Sequence, residues 1–417
     1  MATSTTKRPA ISRLSGVDFI RGLALLSVVL QHINIFARLE DTKVGAFLPE
    51  WLWYATFNSG LHGVAAFFAV SGFMITLTSI RRFGSLDRVS VGKFYWMRFA
   101  RIAPPLLLVL LVLSTLHVAN VDGFRIDPAV CGLPRAVLAV LAFHVNWFES
   151  VHGWLPACWT VFWTLSVEGI FYLIYPLACA LLRWGRWGRL FFFSFMVFLI
   201  IAGPVARAGI TNHIWQQQSY LANLDGIALG CLVGIATNWS ANRPKFTESR
   251  WPLIGQVTGM FVLLLAALGP WLHMVVRFDW SILGLRMDIT TSLLGTTLFL
   301  WGSYLGKRSW VIGQPIRWFG RHSYEVYLSH EFIILAVLPS ALEKGLNLEV
   351  LWIGVIIGLA ALTGYAFAKL FSEPINQRLR CHRYLQFESG ASQKTAKRCD
   401  QWFGLLGWLQ LAIERKS

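Results

Sequence analysis

Apolar stretches close to twenty residues long recur along the whole chain, separated by short polar or basic segments. A helix needs roughly 20 predominantly apolar residues to cross a bilayer, so stretches of this length constrain the chain more than any other feature. Ten such spans are read, at residues 19–36, 60–80, 102–119, 159–182, 190–208, 220–238, 252–276, 289–306, 323–341 and 351–371. Composition agrees: 14% of the 417 residues are charged and 55% hydrophobic, against about 25% charged in soluble domains. The expected fold is all-α, a polytopic membrane protein built as a bundle of about ten transmembrane helices.

The net charge of +16 does not point to nucleic acid, because the basic residues form short clusters beside apolar segments and no basic domain. Clusters around Lys7/Arg8/Arg13, Arg81 to Arg98, Arg183 to Arg189, Arg243 to Arg250, Lys307 to Arg321 and Arg378 to Arg383 fall between every second pair of spans. Positive charge marks the cytoplasmic face, which places both termini inside and the protein in the cytoplasmic (inner) membrane. The first eighteen residues lack a signal-peptide core and cleavage site, so the first span is expected to stay as a helix.

The run at 136–145 is too short to cross and is read as re-entrant or interfacial, within a long outer loop at 120–158. In that loop Cys131 and Cys158 either pair, if the compartment is oxidising, or remain free thiols. No cysteine spacing resembles a metal site, and no metal is expected. Trp51, Trp53, Trp154, Trp159, Trp184, Trp187, Trp251 and Trp310 suit the headgroup region. Gly226, Gly230 and Gly234, four residues apart, suit close helix packing. Residues 1–377 form the transmembrane domain and 378–417 a basic cytoplasmic tail, with an interfacial helix through Trp402, Leu405, Leu406, Leu409 and Ile413.

An ionisable group in a span costs about 2.5–3.5 kcal/mol at the helix centre on insertion scales, which makes each one a functional candidate. Asp18, Arg21 and His32 share a face of the first span, with His32 about 16 Å beyond Arg21 along the axis. Thr160, Thr164, Glu168 and Tyr172 form a stripe on the fourth span, and Glu168 reaches about the depth of His32 from the other side. A buried carboxylate there could orient a neutral imidazole and stabilise its protonated form, as a general base requires. Ser71 and Gly72 lie near mid-membrane, where small residues usually serve packing. Ser323, Tyr327 and His330 share a face of the ninth span, with Glu331 beside His330, which suits a pathway lining or a structural hydrogen-bond cluster. Arg98 and Arg101, one turn apart just before Pro104 and Pro105, suit phosphate oxygens or simply follow the charge rule.

Seven segments in order, LSGVDFIRGLALLSVVLQH, FFAVSGFMIT, FYWMRFARIAPPLLL, WTLSVEGIFYLIYPL, NLDGIALGCLVG, SYEVYLSHEF and FSEPINQRL, resemble the landmarks of the acyltransferase-3 family. They cover residues 14–379. The resemblance implies a ten-helix bundle that moves an acyl group, usually acetyl, from coenzyme A at the cytoplasmic side to a hydroxyl of a carbohydrate or glycosylated acceptor. It assigns Arg21 and His32 to the family's catalytic Arg and His, Glu168 to its carboxylate, Arg98 and Arg101 to its Arg-x-x-Arg pair, and Ser71, Gly72 and Phe73 to its Ser-Gly-Phe segment. His32 is then the general base, with Glu168 or Asp18 supporting it, Arg21 or an amide near Ser71 and Gly72 facing the oxyanion, and Tyr172, Tyr327 and His330 lining the acceptor path. Acyl-CoA enters as co-substrate, with no cofactor held permanently. A small secreted metabolite such as a macrolide is an alternative acceptor; a transporter or flippase and a membrane scaffold or sensor are the competing classes. Oligomeric state is not legible.

Overall fold

The computed structural model describes residues 15–276, 281–282, 285–306, 313–343 and 349–387. Each of the ten apolar segments lies on helix. The long helices are α1 (Ser15–Ala37), α2 (Gly60–Phe83), α3 (Val91–Val118), α4 (Phe162–Leu181), α5 (Gly185–Gly209) and α6 (Tyr220–Ala241). They are followed by α7 (Trp251–Ala267), α8 (Asp288–Leu305), α9 (Gln314–Arg321), α10 (Ser323–Glu343), α11 (Glu349–Phe367) and α12 (Glu373–Phe387). The β structure among the described residues is one two-residue ribbon, Ser281–Ile282 against Leu285–Arg286. The protein is therefore all-α, as its apolar periodicity requires.

Among the described residues six helical stretches are long and apolar enough to cross a membrane, or seven if α7 and the following Gly269–Val276 helix, bent by 58°, make one span. One of the six, Ala157–Gly209, contains both α4 and α5, which fold apart at the Leu182–Trp184 turn and the positive φ of Gly185. Exposed Leu, Phe and Val side chains ring the bundle, among them Leu107, Leu111, Phe191, Phe198, Phe261 and Leu362. In water they would be a liability; against acyl chains they cost nothing.

Close approach through small residues holds the helices together, because lipid supplies no hydrophobic drive between them. On α6, Gly230 faces the carbonyl of Ala69, and Gly226 and Gly234 sit against Phe68 and Thr76 of α2. From α2, Gly72 meets the carbonyl of Ile227 in return. The packing expected of the four-residue glycine repeat is thus what the helices make. One buried charge is paired across helices: Arg207 of α5 donates to Asp225 of α6 at 2.7 Å, to Thr290 of α8 at 3.0 Å, and to the carbonyl of Ala222.

Several local expectations change. Helix α3 begins at Val91, so Pro104 and Pro105 lie inside it and do not open it, and Arg98 and Arg101 stand on a helical extension before the apolar part. Residues 136–145 divide between two short helices, Leu133–Leu141 and Val145–His152, neither long enough to cross. Trp53 and Trp159 are buried, Trp53 stacked on Phe57 at 4.7 Å, so they pack the interior while Trp51, Trp154, Trp184, Trp187 and Trp251 face outward. Cys131 and Cys158 are free. Trp310 and the helix expected through Trp402 to Ile413 lie outside the described residues.

Candidate functional site

Helix α1 runs through the middle of the bundle against α2, α8, α9 and α10, and this central position brings its polar face to other elements' polar groups. Near the end of α1, His32 meets consecutive residues of α10. Its Nδ1 lies 2.5 Å from Oε1 of Glu331 and 2.8 Å from Nε2 of His330. The two imidazoles are stacked, with centroids 5.1 Å apart and planes at 12°. His330 and Glu331 are buried, whereas the His32 side chain keeps 26% of its surface exposed.

The hydrogen bonds assign the tautomers. The Nδ1–H of His330 donates to the carbonyl of Tyr327 at 2.7 Å, so its Nε2 carries a lone pair and accepts. The proton between the rings then belongs to Nδ1 of His32, shared by His330 and the Glu331 carboxylate. Nε2 of His32 makes no hydrogen bond among the described residues, and in the neutral form of the ring it is the lone-pair nitrogen. An imidazole held at one nitrogen and open at the other is the arrangement of a general base. The same three residues offer ligand atoms within 4.8 Å of one another, enough for a metal ion; as placed, those atoms are engaged with each other.

A separate cavity of ≈ 1190 Å³ opens beside this cluster. Arg21, Arg98 and Arg101 line it, together with Glu168, Tyr172 and Ser71. A hydrogen-bond chain crosses its wall: Tyr172 donates to Glu168 Oε2 at 2.8 Å, so Ser71 Oγ, 2.7 Å from the Tyr172 hydroxyl, donates to Tyr172. The Arg98 guanidinium lies over the Tyr172 ring at 4.9 Å. Tyr327 also lines the cavity, its hydroxyl donating to the Val161 carbonyl at 3.1 Å and meeting Thr164 at 3.0 Å. Its ring packs on His330 at 5.6 Å and on Phe67 at 6.2 Å. Tyr327 is therefore the wall between the arginine-lined cavity and the His32 cluster.

The carboxylate expected at His32 is thus not the one found. Glu168 instead accepts from Tyr172 on the wall of the arginine-lined cavity. Asp18 lies at a small pocket with Ser15, Gln314, Arg317 and Arg321, and its charge acts on the Arg21 guanidinium. Of the Ser-Gly-Phe segment only Ser71 reaches the cavity; Gly72 backs onto α6, where Cys231 Sγ donates to its carbonyl at 3.5 Å, and Phe73 packs edge-on to Tyr304. His330 is buried behind Tyr327 and is not among the residues that line this cavity. Glu331 was the residue missed. Its signal was present, since an adjacent His-Glu pair inside a span needs a partner from another helix, but depth arithmetic says nothing about which way a helix face turns.

Residues 14–369 match the family model of the acyltransferase domain. The chain is 23% identical over 361 residues to the peptidoglycan O-acetyltransferase OatA of Listeria monocytogenes, an alignment covering 80% of this chain and 51% of that protein. A Staphylococcus aureus protein named as a candidate O-acetyltransferase is 23% identical over 357 residues, covering 82% of this chain and 54% of its own. The candidate peptidoglycan O-acetyltransferase YrhL of Bacillus subtilis is 22% identical over 338 residues, with 78% and 49% covered. The chain spans about half the length of the curated relatives it matches. No solved structure matches it.

Proposed function

The chain belongs to the acyltransferase-3 family, and from that premise we propose that it is a membrane O-acyltransferase using cytoplasmic acyl-CoA to acylate a hydroxyl of a carbohydrate or glycosylated acceptor. Acetyl is the group favoured by the relatives' names. The supporting observation is His32: one nitrogen is held by Glu331 and His330, and the other makes no hydrogen bond among the described residues.

In this reading the bundle crosses the membrane ten times with both termini inside, which the basic clusters and the ten helical segments support. Arg98 and Arg101 hold the phosphates of the donor, and the thioester extends along the cavity toward Tyr327. Displacement of the Tyr327 ring opens the way to His32. Nε2 of His32 takes the proton of the acceptor hydroxyl as its oxygen forms a bond to the thioester carbonyl carbon. Arg21, on the donor side of Tyr327, helps hold the donor along the cavity, and Glu331 balances the imidazolium charge. The C–S bond then breaks, and the coenzyme thiolate leaves with the proton held by His32. Glu168 serves the cavity through Tyr172 and Ser71, holding the donor's path in shape.

Release of free coenzyme A with purified, folded protein tests this. His32→Ala lowers kcat by about 10²–10⁴-fold, the usual contribution of a positioned base. Glu331→Gln keeps the acceptor but removes the charge, so kcat falls while affinity for acyl-CoA holds, because the arginine cavity lies on the other side of Tyr327. Neutralising Arg98 and Arg101 together does the reverse, weakening affinity first. Near-normal turnover in folded His32→Ala would overturn the base assignment.

A further inference from the structure

Helix α12 continues α11 through a π-helical turn, Ala368–Ser372, and packs against α3. Trp96 of α3 fixes the contact, its indole N–H donating to the carbonyl of Leu379 at 3.1 Å. The next residue, Arg380, thereby enters the lining of the large cavity alongside Arg82, Arg98 and Arg101. Arg380 feels the charge of all three. Four guanidinium groups from three separate elements, the end of α2, the start of α3 and α12, thus converge on one space.

Their partners do not account for the convergence. Among the described residues Arg98, Arg101 and Arg380 make no ion pair or hydrogen bond, and Arg82 touches only the Met97 thioether, a weak acceptor. Neighbouring arginines are engaged: Arg183 donates to the carbonyls of Asp87 and Val89, and Arg81 to the Tyr304 hydroxyl. The positive-inside bias explains basic residues at this end of the bundle but not their crowding in a cavity, where like charges repel. A multiply charged anion removes that repulsion, and guanidinium groups match phosphate oxygens bidentately.

Arg98 and Arg101, one turn apart on a single helix, suit two linked phosphates. Arg380 and Arg82 reach the cavity from different elements and suit another, separately attached one. We propose that Arg380, with Arg82, forms a second phosphate subsite that takes an isolated phosphomonoester of the donor, the ribose 3′-phosphate of coenzyme A. This rests on the acyl-CoA reading above. It makes Arg380 a specificity residue that separates coenzyme A from donors lacking that phosphate.

The test is a binding cycle on the full chain in nanodiscs of neutral lipid, with coenzyme A and dephospho-coenzyme A as probes. The wild type binds coenzyme A about tenfold more tightly, a gap on the scale of one charge-assisted contact. Arg380→Gln weakens coenzyme A alone, so the gap closes, and Arg380→Lys restores part of it; an unchanged thermal midpoint shows that the variants are folded. Equal weakening of both probes, or of neither, overturns the subsite. Repeating the cycle with anionic lipid separates a headgroup from a free phosphate: if Arg380→Gln changes only the lipid dependence and leaves the gap intact, the residue serves lipid and the proposal fails. Wild type that binds neither probe and releases no coenzyme A overturns the acyl-CoA reading itself, a distinct outcome.

Discussion

Two carboxylates show how far position alone determines behaviour. Glu331 is buried beside His32 and His330 and shares a proton. Glu149, in the Val145–His152 helix between α3 and α4, is equally buried but has no cation; its Oε1 accepts from Thr160 at 2.6 Å and from the Leu155 amide at 3.2 Å, and its Oε2 lacks a partner. Burial pushes its pKa from 4.5 up to about 7, the hydrogen bonds only partly opposing this. A raised carboxylate pKa destabilises the fold above the unfolded value: below pH 4.5 both states are protonated and nothing is lost, and stability falls as pH rises from there through about 7. The full penalty is on the order of 3 kcal/mol. Glu149→Gln, which keeps the acceptor, should therefore raise the thermal midpoint at pH 8 and converge with wild type toward pH 5. A gap that does not vary with pH would show that ionisation of Glu149 is not its source.

Between elements, the decisive contact is the crossing of α2 and α6, where Gly72 and Gly230 each face a carbonyl of the other helix. A methyl group at either position must push the helices apart. Gly72→Ala should cost about 1–3 kcal/mol, the usual penalty of overpacking, and should also shift Ser71, one residue away, relative to Tyr172. Gly358 on α11 has nothing within 4 Å of an added Cβ and faces outward. Gly358→Ala is the control and should be neutral or stabilising, since alanine is the better helix former. Thermal midpoints in matched nanodiscs compare the two, and equal effects would argue against a tight crossing.

For the molecule as a whole, the ten-span reading places the segment between α3 and α4 outside and α12 inside. Cys131 and Cys381 are both free and partly exposed, and they lie on these two parts. In intact cells, a variant keeping only Cys131 should react with a membrane-impermeant maleimide, and one keeping only Cys381 should react only after permeabilisation. Labelling of Cys381 from outside would invert the topology, and with it the side from which a donor enters.

Hydropathy determined that the chain is a helical membrane protein and where its apolar segments lie, because the length of an apolar run is a one-dimensional property. Residue type and order also marked His32, Arg98 and Arg101, since ionisable groups stand out against so apolar a background. The partner of His32 was decided only in three dimensions. Glu168 and Glu331 are both carboxylates on apolar helices, yet Glu331 of α10 meets His32 while Glu168 of α4 accepts from Tyr172. The packing of α12 against α3, which carries Arg380 to the cavity, is marked by an indole–carbonyl bond across 283 residues of sequence. Neither contact joins residues close in the chain, which is why only the assembled bundle reveals them.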